Sequence, residues 1–377
     1  MSHIERRDKG KYRARYRDPS GRERSRTFTR RVDADRFLAG IGTAIGEGSW
    51  TDPARARLTV GDWGRRWLDG RADLKPKTRA SYESLWRTCI APKWERVPLA
   101  RVEYQAVAAW VADLSTRVSA SRVRQAAGLL RHMLDDAVKD RRLPRNPAHG
   151  VDLPRVPEHV KRYLTHHQVE TLAGAAGDYS TLVRLLAYSG VRWGEASALR
   201  GQDVDLMRRR LHVRRSLSDV NGRLTFEAPK THRSRTVPLP RFLCDLLTEH
   251  MAGQSPDDLL FQNRQGGPLR SGNFRRGVWD RAVIEAGLPG LVPHDLRHTA
   301  ASLAVASGAS VLLVARMLGH KDKAVTLNVY ADLFDQDLDS VAERLDAAFT
   351  ESRAAYVRPD AASEVVALPL AETRNGL

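Results

Sequence analysis

Five short segments carry residue types that could do chemistry. They are Tyr188-Ser-Gly-Val-Arg192-Trp-Gly-Glu195, Lys230-Thr-His-Arg-Ser-Arg235, Pro293-His294-Asp-Leu-Arg297-His298-Thr, Met317-Leu-Gly-His320 and Asn328-Val-Tyr330. Between them they offer planar cations for an anionic group, imidazoles for proton transfer and a phenol that could act as a nucleophile. Taken singly each has an ordinary reading. Arg192 and Glu195 make an ion pair one turn apart, Lys230 is a hairpin charge, and Tyr330 is a core tyrosine. His294 and His298 have the four-residue spacing of HExxH, with Asp295 where Glu would stand. That base is one methylene short, Arg297 puts a cation beside the metal, and no acidic third ligand follows. Zinc is therefore not expected, and His298 reads as a packing or hydrogen-bonding histidine.

Taken together, the segments resemble the tyrosine recombinases, the phage-integrase family. That family shows Gly-x-Arg-x-Gly-Glu, a hairpin Lys, His-x-x-Arg, Leu-Gly-His and a downstream Tyr. Here the matching residues are Gly190-Val-Arg192-Trp-Gly-Glu195, Lys230, His294-Asp-Leu-Arg297, Leu318-Gly-His320 and Tyr330, in the same order. The resemblance implies that Arg192 and Arg297 clamp the nonbridging oxygens of a phosphodiester, with His320 as a third donor. Fixed cations suit a transition state whose charge lies on those oxygens. Tyr330 would attack phosphorus to give a 3′-phosphotyrosine, His294 would assist its deprotonation, and Lys230 would protonate the departing 5′-oxygen. Glu195 would orient its arginine or histidine neighbours. The covalent link conserves the bond energy, so no ATP is needed, and there is no GxxxxGK[ST] loop. With no paired carboxylates to hold Mg²⁺, neither cofactor nor metal is expected. Tyr356 follows a helix expected over 338–349 and is a poor substitute for Tyr330.

The elements that must position these residues read as a mixed α+β multidomain chain. Residues 1–57 suggest a small three-stranded sheet plus a helix and linker. Tyr12, Ala14 and Tyr16 alternate with Arg13, Arg15 and Arg17, Asp18-Pro-Ser-Gly21 turns, and Arg24–Phe28 returns. Ile4 starts a third strand, and Ala34, Phe37, Leu38 and Ile41 mark a helix behind a Thr29 cap. Residues 58–157 read as an all-helical bundle. Its four helices are marked by Val60/Trp63/Trp67, Tyr82/Leu85/Trp86, Val102/Ala106/Trp110/Leu114 and a long run from Ser119 to Arg142. Pro144, Pro147, Pro154 and Pro157 form the connector after it. Residues 158–350 are mainly helical with a small antiparallel sheet. Its three strands, Leu211–Ser216, Arg223–Glu227 and Arg235–Leu239, lie around an Asn221-Gly222 turn. Leu338, Val341, Leu345 and Phe349 form an apolar stripe, for packing in its own subunit or for docking on a neighbour. Residues 351–377 read as a mobile tail.

The charge is strongly skewed. The 377 residues carry 62 Lys+Arg against 45 Asp+Glu, a net charge of +17. Residues 1–57 hold 15 basic against 8 acidic residues, and residues 58–157 hold 19 against 11. Two basic modules ahead of a near-neutral one suggest delivery of a catalytic domain to a polyanion. With 42% hydrophobic residues the chain is globular rather than a basic tail. Candidate DNA contacts are a five-arginine cluster of Arg13, Arg15, Arg17, Arg24 and Arg26, which a sheet could lay in a major groove. Lys75, Lys77 and Arg79, and Arg122 and Arg124, begin helices and could meet phosphates. A solubilising surface role is the bland reading of each.

Cys89 and Cys244 stand far apart, which excludes a disulfide scaffold or CxxC site and fits a reducing compartment. The opening MSHIERRDKGKYRARYR has no apolar stretch, so no signal peptide is read there. The uncharged run Thr299–Ala315 is short for a span and broken at Ser307-Gly-Ala-Ser310, so two buried helices are expected. The implied function is site-specific strand exchange by an integrase homotetramer on double-stranded DNA with core and arm sites, in the bacterial cytoplasm at the nucleoid, for a phage or mobile element. An excisionase-type directionality factor and a DNA-bending host protein are further candidate partners. The alternatives are a chromosome-resolution recombinase, a type IB topoisomerase-like enzyme and a DNA-binding regulator with a decayed site. Residues 1–45 argue against the first, separate DNA-binding modules against the second, and intact site residues against the third.

Overall fold

The structure is a computed structural model. It describes residues 2–7, 10–48, 50–52, 57–157, 161–228, 234–320, 322, 324, 326–327, 329–330 and 338–356. Apart from the hairpin tip at 219–224, the chain divides into two compact units, one up to Val160 and one from Lys161 onward.

The first unit opens with an antiparallel sheet of β1 (His3–Arg7), β2 (Lys11–Arg17) and β3 (Glu23–Phe28), in that order. Helix α1 (Arg31–Gly46) covers one face, where Tyr16 and Phe28 meet the Phe37 ring at 5.9 and 5.2 Å. The cap is Arg30, not Thr29, and no side chain bonds there; Asp33 in the first turn suits that end of the helix. The register corrects the five-arginine cluster. Ala14 lies opposite Arg26 and Tyr16 opposite Arg24, so Arg24 and Arg26 share the helix-covered face. Arg24 bonds Asp18 (3.0 Å) and Asp52 (2.7 Å), and the Arg26 guanidinium stacks on Phe28 and Phe37. Only Arg13, Arg15 and Arg17 share the other face, and Arg15 is paired with Glu5 and Glu23.

Four main helices follow: α2 (Val60–Asp69), α3 (Pro76–Leu85), α5 (Tyr104–Ser115) and α6 (Ala120–Lys139), with a short α4 (Ala91–Trp94) after α3. Ser119 caps α6 by accepting from the Arg122 N–H. Three tryptophans tie the bundle, because each buried indole finds an acceptor: Trp63 on the Met133 carbonyl, Trp67 on Asp136 and Trp110 on the Cys89 carbonyl. The second helix does not stop near Trp86. It passes through a π turn, Trp86–Ile90, into α4, with Ala91 N–H bonding the Trp86 carbonyl. Pro92 has no N–H to give the Thr88 carbonyl, which explains the irregularity at this point.

The second unit has a continuous core built on α7 (His166–Ala175), α8 (Ser180–Ser189), the short α9 (Trp193–Ala196), α10 (Arg241–His250), the short α11 (Ser271–Phe274), α12 (Asp280–Glu285), α13 (Asp295–Ala306) and α14 (Val311–Leu318). Leu182, Leu186, Trp279, Leu296 and Leu318 are buried in it. The uncharged run becomes α13 and α14 around a turn, and Ser310 caps α14. Among the described residues no helix is long and apolar enough to cross a membrane. The strands differ from expectation. The first breaks at Arg214-Arg215 into β5 (Arg210–Val213) and β6 (Ser216–Val220). Strand β5 joins β4 (Val204–Asp205) and β8 (Arg235–Pro238), while β6 pairs β7 (Arg223–Glu227) in a separate hairpin. Arg215 donates to buried Asp203 at 2.7 Å, which turns the chain between the two sheets. Asn221 and Gly222 both have positive φ, 51° and 82°, as a type I′ turn requires. The C-terminal helix, Leu338–Tyr356, runs past 349 and includes Tyr356. The remaining tail, 357–377, lies outside the described residues.

Candidate active site

The site is built where α8 and α14 end. Helix α8 stops at Gly190, in the left-handed region with φ 64°, and the chain turns straight into α9. Arg192 caps α9, so its backbone N–H bonds Glu195 Oε2 at 2.8 Å and its Nη1 bonds Oε1 at 3.0 Å. Arg235, the first residue of β8, grips the same carboxylate with Nη1 (2.8 Å) and Nη2 (2.6 Å). Its Nε donates to the Met317 carbonyl near the end of α14. Glu195 is thus a buried anion between two guanidinium groups. Burial alone would raise its pKa, but Arg235 and then Arg192 hold it below the ordinary value.

Arg297 comes from the first turn of α13 and is 4% exposed. Its Nη1 donates to the Gly190 carbonyl (2.5 Å) and its Nη2 to that of Leu318 (2.6 Å), so one guanidinium closes the C-terminal ends of two helices. Burial, with Arg192 and Arg235 nearby, pushes its pKa down to about 9, and it stays cationic at pH 7. His320 follows α14, half-buried, with Nδ1 2.7 Å from Thr326 Oγ1. Burial and the same three arginines push its pKa down to about 4.

Tyr330 is 2% exposed. Its hydroxyl lies 3.0 Å from His298 Nδ1. Burial pushes the phenol up to about 12, while Arg297 acts in the opposite sense, so that cation is close enough to favour a phenolate. His298 is held neutral by burial, at about 4. His294, exposed at the head of α13, sits with its ring 5.3 Å from that of His298. In this state, therefore, His298 and not His294 meets the hydroxyl.

Arg192, Glu195, Arg297, His320 and Tyr330 are thus brought together from separate segments. Lys230 lies outside the described residues. One residue escapes the sequence reading: Arg235 closes the Lys230–Arg235 segment, and its signal is a second arginine where that segment enters a strand. His298, expected as a packing or hydrogen-bonding histidine, is hydrogen-bonded, but its partner Tyr330 is not legible from the sequence, where the i, i+4 spacing only places His298 on one helix face with His294. Among the described residues no group of three His, Cys, Asp or Glu side chains could hold a metal ion. Of the proposed DNA contacts in the helical bundle, Arg79 donates to the Leu68 carbonyl, Arg122 to Ser84 and Thr88, and Arg124 to the Pro154 carbonyl. Lys75 caps α3, and Lys77 is exposed on its first turn.

Gly190 is where this geometry is most sensitive. A Cβ there would sit 2.6 Å from Leu318 Cδ2, on a backbone that L side chains rarely adopt. Gly190→Ala should therefore destabilise the unit by about 1–3 kcal/mol in denaturant unfolding. The Gly190 and Leu318 carbonyls that hold Arg297 lie at the two residues forced apart, so the arginine should be displaced as well. Wild-type stability would show that the turn tolerates the methyl group.

Residues 162–337 match the Phage integrase family. An integrase of Mycobacterium phage D29 is 29% identical over 82% of this chain and 87% of its own length. Among solved structures, the Tn1549 transposon integrase in complex with a circular intermediate DNA aligns with a TM-score of 0.66 at 20% identity. That alignment covers 72% of this chain and 94% of the other. A lambda integrase tetramer bound to a Holliday junction aligns at 0.57 and 20% identity, over 85% and 96%.

Proposed function

Because this chain belongs to the phage integrase family of tyrosine recombinases through residues 162–337, we propose that it is an integrase: a site-specific recombinase that cuts and rejoins phage or mobile-element DNA. One observation carries the reading. Arg192 and Arg297, 105 positions apart, are fixed, the one on a buried carboxylate and the other on two helix ends, near the phenol of Tyr330. Fixed cations next to a nucleophile are the device that phosphoryl transfer needs.

In the proposed reaction Tyr330 Oη forms a bond to phosphorus as the bond to O5′ breaks. Arg192, Arg297 and His320 hold the nonbridging oxygens. The phenolic proton passes to His294, and Lys230 gives a proton to O5′. Attack by a different 5′-hydroxyl reverses the step and exchanges the strand. Glu195 keeps Arg192 and Arg235 in place. Tyr330 is buried in this state, so it has to leave its seat to reach DNA.

The mycobacterial phage relative bears the name integrase, and the structural neighbours hold a circular intermediate DNA and a Holliday junction. They support DNA attachment sites as partners and a tetramer as the working form. On the C-terminal helix Leu345 and Phe349 are 66% and 68% exposed, which supports its docking on a neighbouring subunit rather than packing at home. Residues 1–57 are proposed to bind arm sites, residues 58–157 core sites, and 158–350 to carry the chemistry in the cytoplasm, at the nucleoid. An excisionase-type factor and a DNA-bending host protein would act on the same complex.

The test is a nicked duplex carrying the core site, incubated with the protein in chelator. A covalent 3′ adduct is expected, and its absence on a duplex that the protein binds overturns the reading. A second expectation concerns the arm module. Deleting residues 1–57 should flatten the salt dependence of binding by about 0.9 in the log–log slope for each lost phosphate contact. Adduct formation on an isolated core site should survive the deletion. An unchanged slope would remove the sheet from the DNA interface.

A further inference from the structure

Two of the side chains that hold the Tyr330 segment in the core have no assigned part in the reaction. Lys161 Nζ donates to the Val329 carbonyl at 2.9 Å, one residue before the nucleophile. His298 Nδ1 meets the Tyr330 hydroxyl at 3.0 Å, from the residue next to Arg297 on α13. Thr326, fully buried, is bonded to His320. The nucleophile is thus secured at its backbone and at its reacting atom, 2% exposed. A phenol in that position cannot reach a phosphodiester on DNA.

We infer that Lys161 and His298 form a two-point latch that keeps Tyr330 out of reach until DNA is engaged. Lys161 is the first residue of the second compact unit. Lys161 is itself exposed, and its ammonium can exchange the carbonyl for a DNA phosphate with little loss. His298 is a positioning residue in this scheme. It holds the hydroxyl in the resting state and takes no part in bond making. The inference deepens the recombinase reading and rests on Tyr330 as nucleophile.

The latch is tested on the full chain without DNA, by nitrating tyrosines with tetranitromethane and quantifying the Tyr330 peptide by mass spectrometry. Lys161→Met and His298→Leu should each nitrate Tyr330 roughly tenfold faster, the effect of losing one charge-assisted or buried hydrogen bond. Lys161→Arg and His298→Asn keep a donor or acceptor at the same place and should stay near wild type. Tyr179 and Tyr188, half-buried against the same core, serve as the standard against unfolding of that unit. Should His298→Leu unfold, Lys161→Met decides the matter, because Lys161 is exposed and its loss leaves the core intact. On the nicked duplex, at saturating protein, Lys161→Met should form the adduct severalfold faster, while its affinity for the site falls by no more than the loss of one phosphate contact. Wild-type nitration in Lys161→Met overturns the latch, and so does faster nitration without a faster adduct. A His298→Asn chain that binds DNA but forms no adduct overturns its positioning role. If Tyr330 is not the nucleophile, the Tyr330→Phe chain retains its adduct, whereas the nitration result is unaffected.

Discussion

Tyr330→Phe is expected to abolish the covalent 3′ adduct, to below about one part in a thousand of wild type, while DNA binding persists. The substitution removes one oxygen from a side chain that is 2% exposed. The ring still fills the core, and the lost contact is a single hydrogen bond to His298. Such a loss costs about 0.5–1.5 kcal/mol, too little to unfold a unit with a continuous hydrophobic core. Binding is proposed to rest on basic residues elsewhere, so a gel shift should be unchanged. The adduct is read on a nicked duplex in chelator, where the departing 5′ end diffuses away and the covalent species accumulates. Two results would sink the assignment. An adduct persisting in the variant would point to another phenol, with Tyr356 at the end of the C-terminal helix as the first to check. A wild-type reaction that requires Mg²⁺ would remove the mechanism, in which guanidinium groups and not a metal carry the charge.

The sequence was most legible where one local rule decided the outcome. Gly190 ends α8, Asn221-Gly222 makes the hairpin turn, the Ser307–Ser310 interruption separates α13 from α14, and the tryptophan periodicity marks the bundle. It was least legible where register or a non-local bond decided. Five arginines near in sequence are divided between two faces, because residues directly opposite on antiparallel strands share a face, and Arg24 and Arg26 stand opposite Tyr16 and Ala14. The split of the predicted strand at Arg214-Arg215 depends on Asp203, a partner more than ten residues upstream on a separate element. In the site, Arg192, Arg297, His320 and Tyr330 were named by motif. What organises them was not, because Arg235 reaches Glu195 across forty residues and His298 reaches Tyr330 across thirty-two. Motifs identify the groups that face a substrate. The groups that hold those groups are set by packing and leave little local pattern.

That distinction makes Glu195 the second decisive position. Glu195→Ala should destabilise the catalytic unit by about 3–5 kcal/mol and slow adduct formation steeply. The carboxylate is 1% exposed and accepts from Arg192 twice and Arg235 twice. Without it, Arg235 keeps only the Met317 carbonyl among these bonds, and three arginine cations face one another without an anion between them. Glu195→Gln should lose less, since its carbonyl oxygen can still accept from Arg192 N–H or from Arg235. The pH dependence has a definite sign. The folded-state pKa of Glu195 is depressed below the ordinary 4.5, so its contribution is complete above that value and is lost as pH falls through the lower folded value. The stability gap between wild type and Glu195→Ala, measured by denaturant unfolding, should therefore be constant from pH 7 to about 5 and narrow in more acidic solution. A second consequence follows from the charge left behind. Inorganic phosphate should stabilise Glu195→Ala more than wild type, because an anion entering the cluster replaces the missing carboxylate. A gap below about 1 kcal/mol at pH 7, or one that widens in acid, would show that the arginines are positioned by their carbonyl partners alone.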